Sequence, residues 1–153
     1  MLKEDRTAII LCGGKGSRLG TLGKRLPKSL VKVQKKEIIW YIINILRKNK
    51  FNHLILPTGY KGNLIKKYIR KNKFKLNIEC IETGRNSNIG FRIAKIIKKV
   101  KTKNVLLLNG DAIFDLNIKS IYQNHSKKNF DLTFLSSEIT YQYGTIGMEK
   151  KKI

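Results

Sequence analysis

Chemistry-bearing residues are concentrated near the start of the chain, in Leu11-Cys12-Gly13-Gly14-Lys15-Gly16-Ser17-Arg18-Leu19, with Pro27-Lys28 shortly after. Three glycines directly behind an apolar run let the backbone turn tightly and aim several N–H groups at one anion. Two familiar phosphate loops fail on spacing. A dinucleotide fingerprint starting at Gly14-x-Gly16 requires glycine at position 19, which is Leu19. A Walker A loop requires Gly-Lys followed by Ser or Thr, whereas Gly14-Lys15 is followed by Gly16 and Gly23-Lys24 by Arg25. What remains is Gly-Gly-x-Gly-Ser-Arg-Leu, with Lys28 ten residues beyond Arg18. The cysteines offer no competing chemistry. Cys12 and Cys80 sit in apolar runs without metal-ligand spacing and read as reduced core thiols of a cytoplasmic protein.

The elements that must position these residues follow from hydrophobic periodicity. Residues 7–12 (TAIILC) form a continuous apolar run ending at Gly13-Gly14, as a buried parallel strand does. Residues 37–49 place Ile38, Tyr41, Ile42, Ile45 and Leu46 at helical spacing, with Arg47 and Lys48 at the basic end. Further strands are predicted over 53–58 (HLILPT), 76–82, 104–109 (NVLLLN) and 131–136, and further helices over 63–70, 90–100 and 118–125. Strand and helix alternate in short units. This predicts an α/β fold, a Rossmann-like, mostly parallel sheet with right-handed crossovers and helices on both faces. Ligands of such sheets bind at the carboxyl ends of the strands. The loops after Cys12, Thr58, Glu82 and Asn109 all fall at that edge.

With the motifs in place, the chain resembles the sugar-1-phosphate nucleotidylyltransferases. Gly-Gly-x-Gly-Ser-Arg-Leu with Pro27-Lys28 resembles that family's signature loop. Glu37-Ile38-Ile39-Trp40-Tyr41-Ile42 resembles the helix after it, and Thr58-Gly59-Tyr60-Lys61-Gly62 the Gly-Tyr loop after the second strand. Leu108-Asn109-Gly110-Asp111 resembles the family's Gly-Asp metal motif, and Tyr143-Gly144 a Tyr-Gly pair lying against the sugar. Within the family the likeness divides. Ile81-Glu82-Thr83-Gly84, with Gly90 and Arg92 further on, resembles a segment of glucose-1-phosphate cytidylyltransferases. The compact length and Asn109-Gly110-Asp111-x-x-Phe114-Asp115 are closer to heptose- and mannose-1-phosphate guanylyltransferases. Ile89 and Phe91 depart from the cytidylyltransferase pattern, where Thr and a second Gly stand.

The resemblance implies a nucleotide-diphospho-sugar transferase-like fold and transfer of a nucleotidyl group from a nucleoside triphosphate to a sugar 1-phosphate. It favours CTP or GTP as the donor. It implies nucleotide binding by Leu11, Gly13, Gly14, Gly16, Ser17, Gly84, Gly90 and Gly110, catalytic roles for Arg18 and Lys28, Mg²⁺ on Asp111, and sugar contact at Gly144. Such chemistry needs no nucleophilic side chain; positioning and charge neutralisation carry it. An arginine forks across phosphate oxygens, a lysine supplies a point charge, and a carboxylate suits a hard cation.

Each of these residues also has a structural reading. The glycines can form a plain tight turn, Arg18 and Lys28 belong to a chain with 33 basic residues, and Asp111 can cap the next element. Asp115 reads as a cap or turn residue, Trp40 and Tyr41 as helix core, and His53 and His125 as surface or strand-start residues. The net charge of +23 suits anionic partners of any kind, nucleic acid included. The lysines are, however, spread along the chain without an aromatic-interleaved cluster, so no specific nucleic-acid partner is expected. No stretch reaches the roughly 18 apolar residues of a membrane span, and no membrane partner is expected. At 153 residues the chain reads as a single domain. It ends soon after Tyr143-Gly144, where the family continues into further acceptor-side segments. The expectation is a nucleotide-binding part without its acceptor part. A non-catalytic nucleotide-binding fragment and a basic nucleic-acid-associated domain are the alternative functions.

Overall fold

The computed structural model of the chain describes residues 6–14, 16 and 20–136. In chain order they form β1 (Thr7–Leu11), α1 (Gly20–Arg25), a 3₁₀ turn (Lys28–Leu30), β2 (Lys32–Val33), β3 (Lys36–Glu37), α2 (Ile38–Lys48) and β4 (His53–Thr58). Then come α3 (Gly62–Asn72), β5 (Asn77–Glu82), α4 (Ile89–Ile96), a second 3₁₀ turn (Ile97–Lys99), β6 (Val105–Asn109) and α5 (Ile118–Lys128). β2 and β3 make a small antiparallel hairpin; the other four strands form one sheet in the order β5-β4-β1-β6. Every pairing in that sheet is parallel.

The strand order explains where the helices go. From β1 the chain steps outward to β4 and then β5, with α2 and α3 in the crossovers, and then returns across the sheet through α4 to β6. Right-handed crossovers in opposite directions put their helices on opposite faces. Accordingly Ile39, Ile42, Ile43 and Leu46 of α2 and Ile65 and Ile69 of α3 pack with Ala8, Ile10, Leu54 and Leu56, together with Ile118 of α5. On the other face Ile96 of α4 packs on Ile9 and Ile55. The strands' period of two separates these sets: Ala8 and Ile10 point one way and Ile9 the other. In α2 the buried positions 39, 42, 43 and 46 recur at three and four residues, which builds one apolar stripe.

The reversal of strand order between β1 and β6 is a topological switch point, and it opens a crevice outside the carboxyl ends of those two strands.

Two expectations require correction. Residues 131–136 join no strand ladder: they run as coil, with Leu132 70% and Phe134 81% exposed. An alternating apolar pattern becomes a strand only when a neighbouring edge takes its hydrogen bonds, and here none does. The helix expected over 90–100 stops at Ile96 and tightens into the 3₁₀ turn at 97–99. Among the described residues, no helix is long and apolar enough to cross a membrane.

Candidate functional site

The crevice contains a cavity of about 450 Å³ lined by residues from four segments. Leu11, Cys12, Gly13, Gly14 and Gly16 come from the end of β1 and its loop, and Lys28 and Ser29 from the first 3₁₀ turn. Ser87, Asn88, Ile89 and Arg92 come from the start of α4, and Asn109, Gly110 and Asp111 from the end of β6. Of the residues singled out in the sequence, Leu11, Gly13, Gly14, Gly16, Lys28, Gly110 and Asp111 therefore share one wall-to-wall site. Gly84 and Gly90 do not line it. Ser17, Arg18 and Gly144 lie outside the described residues.

Local physics explains how the loop holds its shape. Gly16 sits at φ 64°, in the left-handed region that side chains disfavour. Gly110 is constrained by contact: an added Cβ there would come 2.7 Å from Cys12 Sγ and 2.8 Å from the Leu11 carbonyl oxygen. The Gly110 N–H donates to that same carbonyl at 3.0 Å, so the turn after β6 is stitched onto β1. Burial pushes the Cys12 thiol up to about 12, which makes it a packing group rather than a nucleophile.

Across the cavity, Lys28 Nζ donates to Asp111 Oδ2 at 3.0 Å, joining residues 83 apart in sequence. Both side chains are a little over one-third exposed, so as a free pair they contribute only about 0–1 kcal/mol. The value of the pair lies in placement, since it sets a cation and a carboxylate side by side at the mouth of the glycine loop. Among the described residues no group of three or more His, Cys, Asp or Glu side chains forms a metal cage.

The neighbouring loops act as supports. Lys61 Nζ donates to the carbonyls of Lys24 and Arg25 at the end of α1, and Tyr60 Oη donates to Lys24 O at 3.4 Å. These bonds satisfy carbonyls that a helix end leaves open and brace the segment leading to Lys28. Gly84, at φ 102°, turns the chain after β5; its N–H donates to Glu82 Oε1 at 3.1 Å. Asn88 caps α4, its Oδ1 accepting from Phe91 N at 2.8 Å. Gly90 lies in the first turn of that helix. The two glycines thus hold the backbone beside the cavity rather than forming its wall.

The residue missed in the sequence is Arg92, which is 5% exposed and donates to backbone and hydroxyl oxygens of three loops. Its place in the resembling segment was visible, but a lone basic residue among 33 gives no sign of burial. The histidines are elsewhere. His53 pairs with Glu79 at 2.9 Å and His125 with Thr133 at 2.9 Å. Trp40 and Tyr41 are partly buried on α2, edge-to-face with each other, away from the cavity.

Comparison with known proteins matches this frame. Residues 7–152 match the family model described as nucleotidyl transferase. The chain is 30% identical over 141 residues to the D-glycero-alpha-D-manno-heptose 1-phosphate guanylyltransferase of Aneurinibacillus thermoaerophilus, covering 91% of this chain and 61% of that protein. It is 29% identical over 147 residues to the glucose-1-phosphate cytidylyltransferase of Salmonella typhimurium, covering 79% and 57% respectively. Among solved structures, HddC from Yersinia pseudotuberculosis complexed with GMP-PN superposes with a TM-score of 0.69 at 23% identity, over 78% of this chain and 54% of that one. That last likeness is one of fold. The chain spans about three-fifths of the length of the curated relatives it matches. A parallel sheet with a glycine-lined switch-point cavity, and a family match over nearly its whole length, place this chain in the nucleotidyl transferase family.

Proposed function

We propose that this chain provides the nucleotide-binding side of an enzyme that transfers a nucleotidyl group from a nucleoside triphosphate to a sugar 1-phosphate. The observation that carries this reading is the convergence of Gly13, Gly14, Gly16, Lys28 and Asp111 on one cavity at the switch point. In the reaction, a sugar 1-phosphate oxygen attacks the α-phosphorus; a new P–O bond forms as the bond to the departing pyrophosphate breaks. Catalysis then consists of holding the reactants in line and neutralising charge on the phosphates.

In this reading the N–H groups of Gly13–Gly16 cradle the triphosphate, with Ser17 and Gly110 beside them. Arg18 and Lys28 are the catalytic cations. Lys28 waits on Asp111 and exchanges that contact for the α-phosphate when the donor enters, a trade that costs little because the pair is exposed. Gly84 and Gly90 shape the base side from behind, and Gly144 meets the sugar. Asp111 fits Mg²⁺ as a single, partly exposed carboxylate; with no wider cage among the described residues, it would hold the ion together with substrate phosphates. When bound, the ion neutralises phosphate charge. CTP and GTP are the favoured donors, on the two kinds of relative, and the compartment is the cytoplasm.

Calorimetric titration with CTP, GTP, UTP and dTTP, with and without Mg²⁺, tests this directly. One triphosphate should bind at micromolar to low millimolar concentration, more tightly with Mg²⁺. Pyrophosphate release with a panel of sugar 1-phosphates should be weak for the 153-residue chain, because among the described residues Asp111 is the one carboxylate that lines the cavity. Failure of all four nucleotides to bind would overturn the assignment.

A further inference from the structure

Arg92 makes three hydrogen bonds from deep in the cavity wall. Nη1 donates to the Thr58 carbonyl at 3.1 Å and to Thr83 Oγ1 at 2.7 Å, and Nη2 donates to the Gly13 carbonyl at 3.2 Å. Thr58 ends β4, Thr83 follows β5 and Gly13 follows β1. One side chain therefore laces the carboxyl ends of three adjacent strands. The acceptors themselves are cross-linked, since Thr83 donates to the Thr58 carbonyl through both its N–H and its hydroxyl, and Tyr60 N–H donates to Gly13 O.

All three acceptors are neutral, and among the described residues no carboxylate forms an ion pair with Arg92. A guanidinium stays protonated at any physiological pH. Its buried charge is met by dipoles at hydrogen-bond range, on the wall of a cavity that it helps to line, and the nearby Glu82 carboxylate is instead engaged by Thr58 Oγ1 and Gly84 N. An anion in that cavity would meet a guanidinium that, among the described residues, no ion-paired carboxylate neutralises.

The glycines carry the matching imprint. A Cβ at Gly13 would lie 2.2 Å from Arg92 Cζ, and one at Gly59 would lie 2.6 Å from Nη1 and 2.5 Å from the Gly84 oxygen. At Gly14 a Cβ would meet nothing within 4 Å. The two glycines of the Gly13-Gly14 pair therefore have different causes, of which only the first is the arginine. A trans peptide also points its N–H opposite to its C=O. By holding the Gly13 carbonyl, Arg92 turns the Gly14 N–H the other way.

We propose that Arg92 is the positioning residue of the phosphate loop: its buried guanidinium, held by neutral acceptors, sets the Gly13–Gly14 peptide and biases the cavity toward a polyphosphate, and position 13 is glycine to admit it. The polyphosphate clause rests on the proposed function; the packing clause does not. The probe is inorganic tripolyphosphate, which reads the loop without a base, used on the full chain alongside thermal unfolding. Gly13→Ala should lower Tm in the parent chain and lower it much less in an Arg92→Ala background, whereas Gly14→Ala should change Tm by the same small amount in both. Arg92→Met, which keeps bulk without charge, should weaken tripolyphosphate binding roughly ten-fold or more and flatten its salt dependence. Arg92→Lys should not restore it, because an ammonium lacks the fork that reaches both the Gly13 and the Thr83 sides. Additive Tm changes for Gly13→Ala and Arg92→Ala would overturn the packing clause. Unchanged tripolyphosphate affinity and salt dependence in Arg92→Met would overturn the electrostatic one. A parent chain that binds neither nucleotide nor tripolyphosphate would sink the proposed function, while the unfolding cycle would still decide the packing.

Discussion

The two edges of the sheet are built in opposite ways. On the face covered by α4, one rung runs across all four strands as Leu107, Ile9, Ile55 and Glu79. Ile9 and Ile55, in the middle, are sealed under Ile96 at 1% and 0% exposure. At the β5 edge the rung ends in Glu79, held by His53 at 2.9 Å and approached by Lys99 at 3.7 Å. At the β6 edge it ends in Leu107, 46% exposed, with Val105 beside it on the same face at 37%. A charged edge discourages pairing with another chain; an apolar one invites it. The site straddles the same divide. Its β1 side is braced by Arg92 and three loops, whereas Asp111 on the β6 side rests on the Gly110–Leu11 bond and its contact with Lys28.

The sharpest way to break this comparison is to cut both residues on the rung. Ile55→Ala should destabilise the chain by about 2–5 kcal/mol, while Leu107→Ala should cost under about 1 kcal/mol, since it was half in water already. Urea unfolding monitored by circular dichroism gives both numbers. Similar losses would mean that the β6 face is covered in solution.

A smaller effect is expected at the site. Lys28→Ala removes the cation that faces Asp111, and nucleotide binding should weaken by roughly ten-fold, as for one charge-assisted hydrogen bond. Asp111→Asn should instead leave Mg²⁺-free binding intact or improved and reduce the gain on adding Mg²⁺. Titration of each variant with and without the ion separates them; a loss for Asp111→Asn in the absence of Mg²⁺ would contradict the placement of the metal.

The exposed edge predicts association. Chain concentrated to hundreds of micromolar should show a growing light-scattering radius, through Val105, Leu107 and the exposed Leu132 and Phe134. Leu107→Lys should reduce it, as a charged edge residue does. Equal scattering by both proteins would place the sticky surface elsewhere.

The smallest effect belongs to the charged edge. The His53 hydrogen bond, opposed by some burial and aided by Lys99, holds the Glu79 carboxyl below its ordinary 4.5. The folded state thus binds this proton less readily than the unfolded chain. Stability from the pair is present above the unfolded value near 4.5 and is lost as pH falls through the lower folded value. Glu79 is about one-third exposed, so the contribution is a few tenths of a kcal/mol at most. Unfolding of Glu79→Gln at pH 7 and pH 4 should show slightly less acid sensitivity than the parent, and a greater one would reverse the sign.

How much of this was legible beforehand differs by the range of the physics involved. The alternation of Ala8 and Ile10 against Ile9, the 39-42-43-46 stripe of α2 and the glycine turn after β1 follow from periods of two and 3.6 residues and from local backbone freedom. With them came the parallel α/β architecture and the family resemblance, because both are carried by short patterns in order. Three matters waited for the tertiary structure. Lys28 and Asp111 meet across 83 residues because β6 lands beside β1, and strand order is a property of the whole chain. Arg92 is buried because three loops converge on it, which no neighbouring residue announces. Leu107 and the apolar residues of 131–136 remain exposed although their sequence reads as strand, since burial depends on what another element covers, and periodicity says only which side chains share a face.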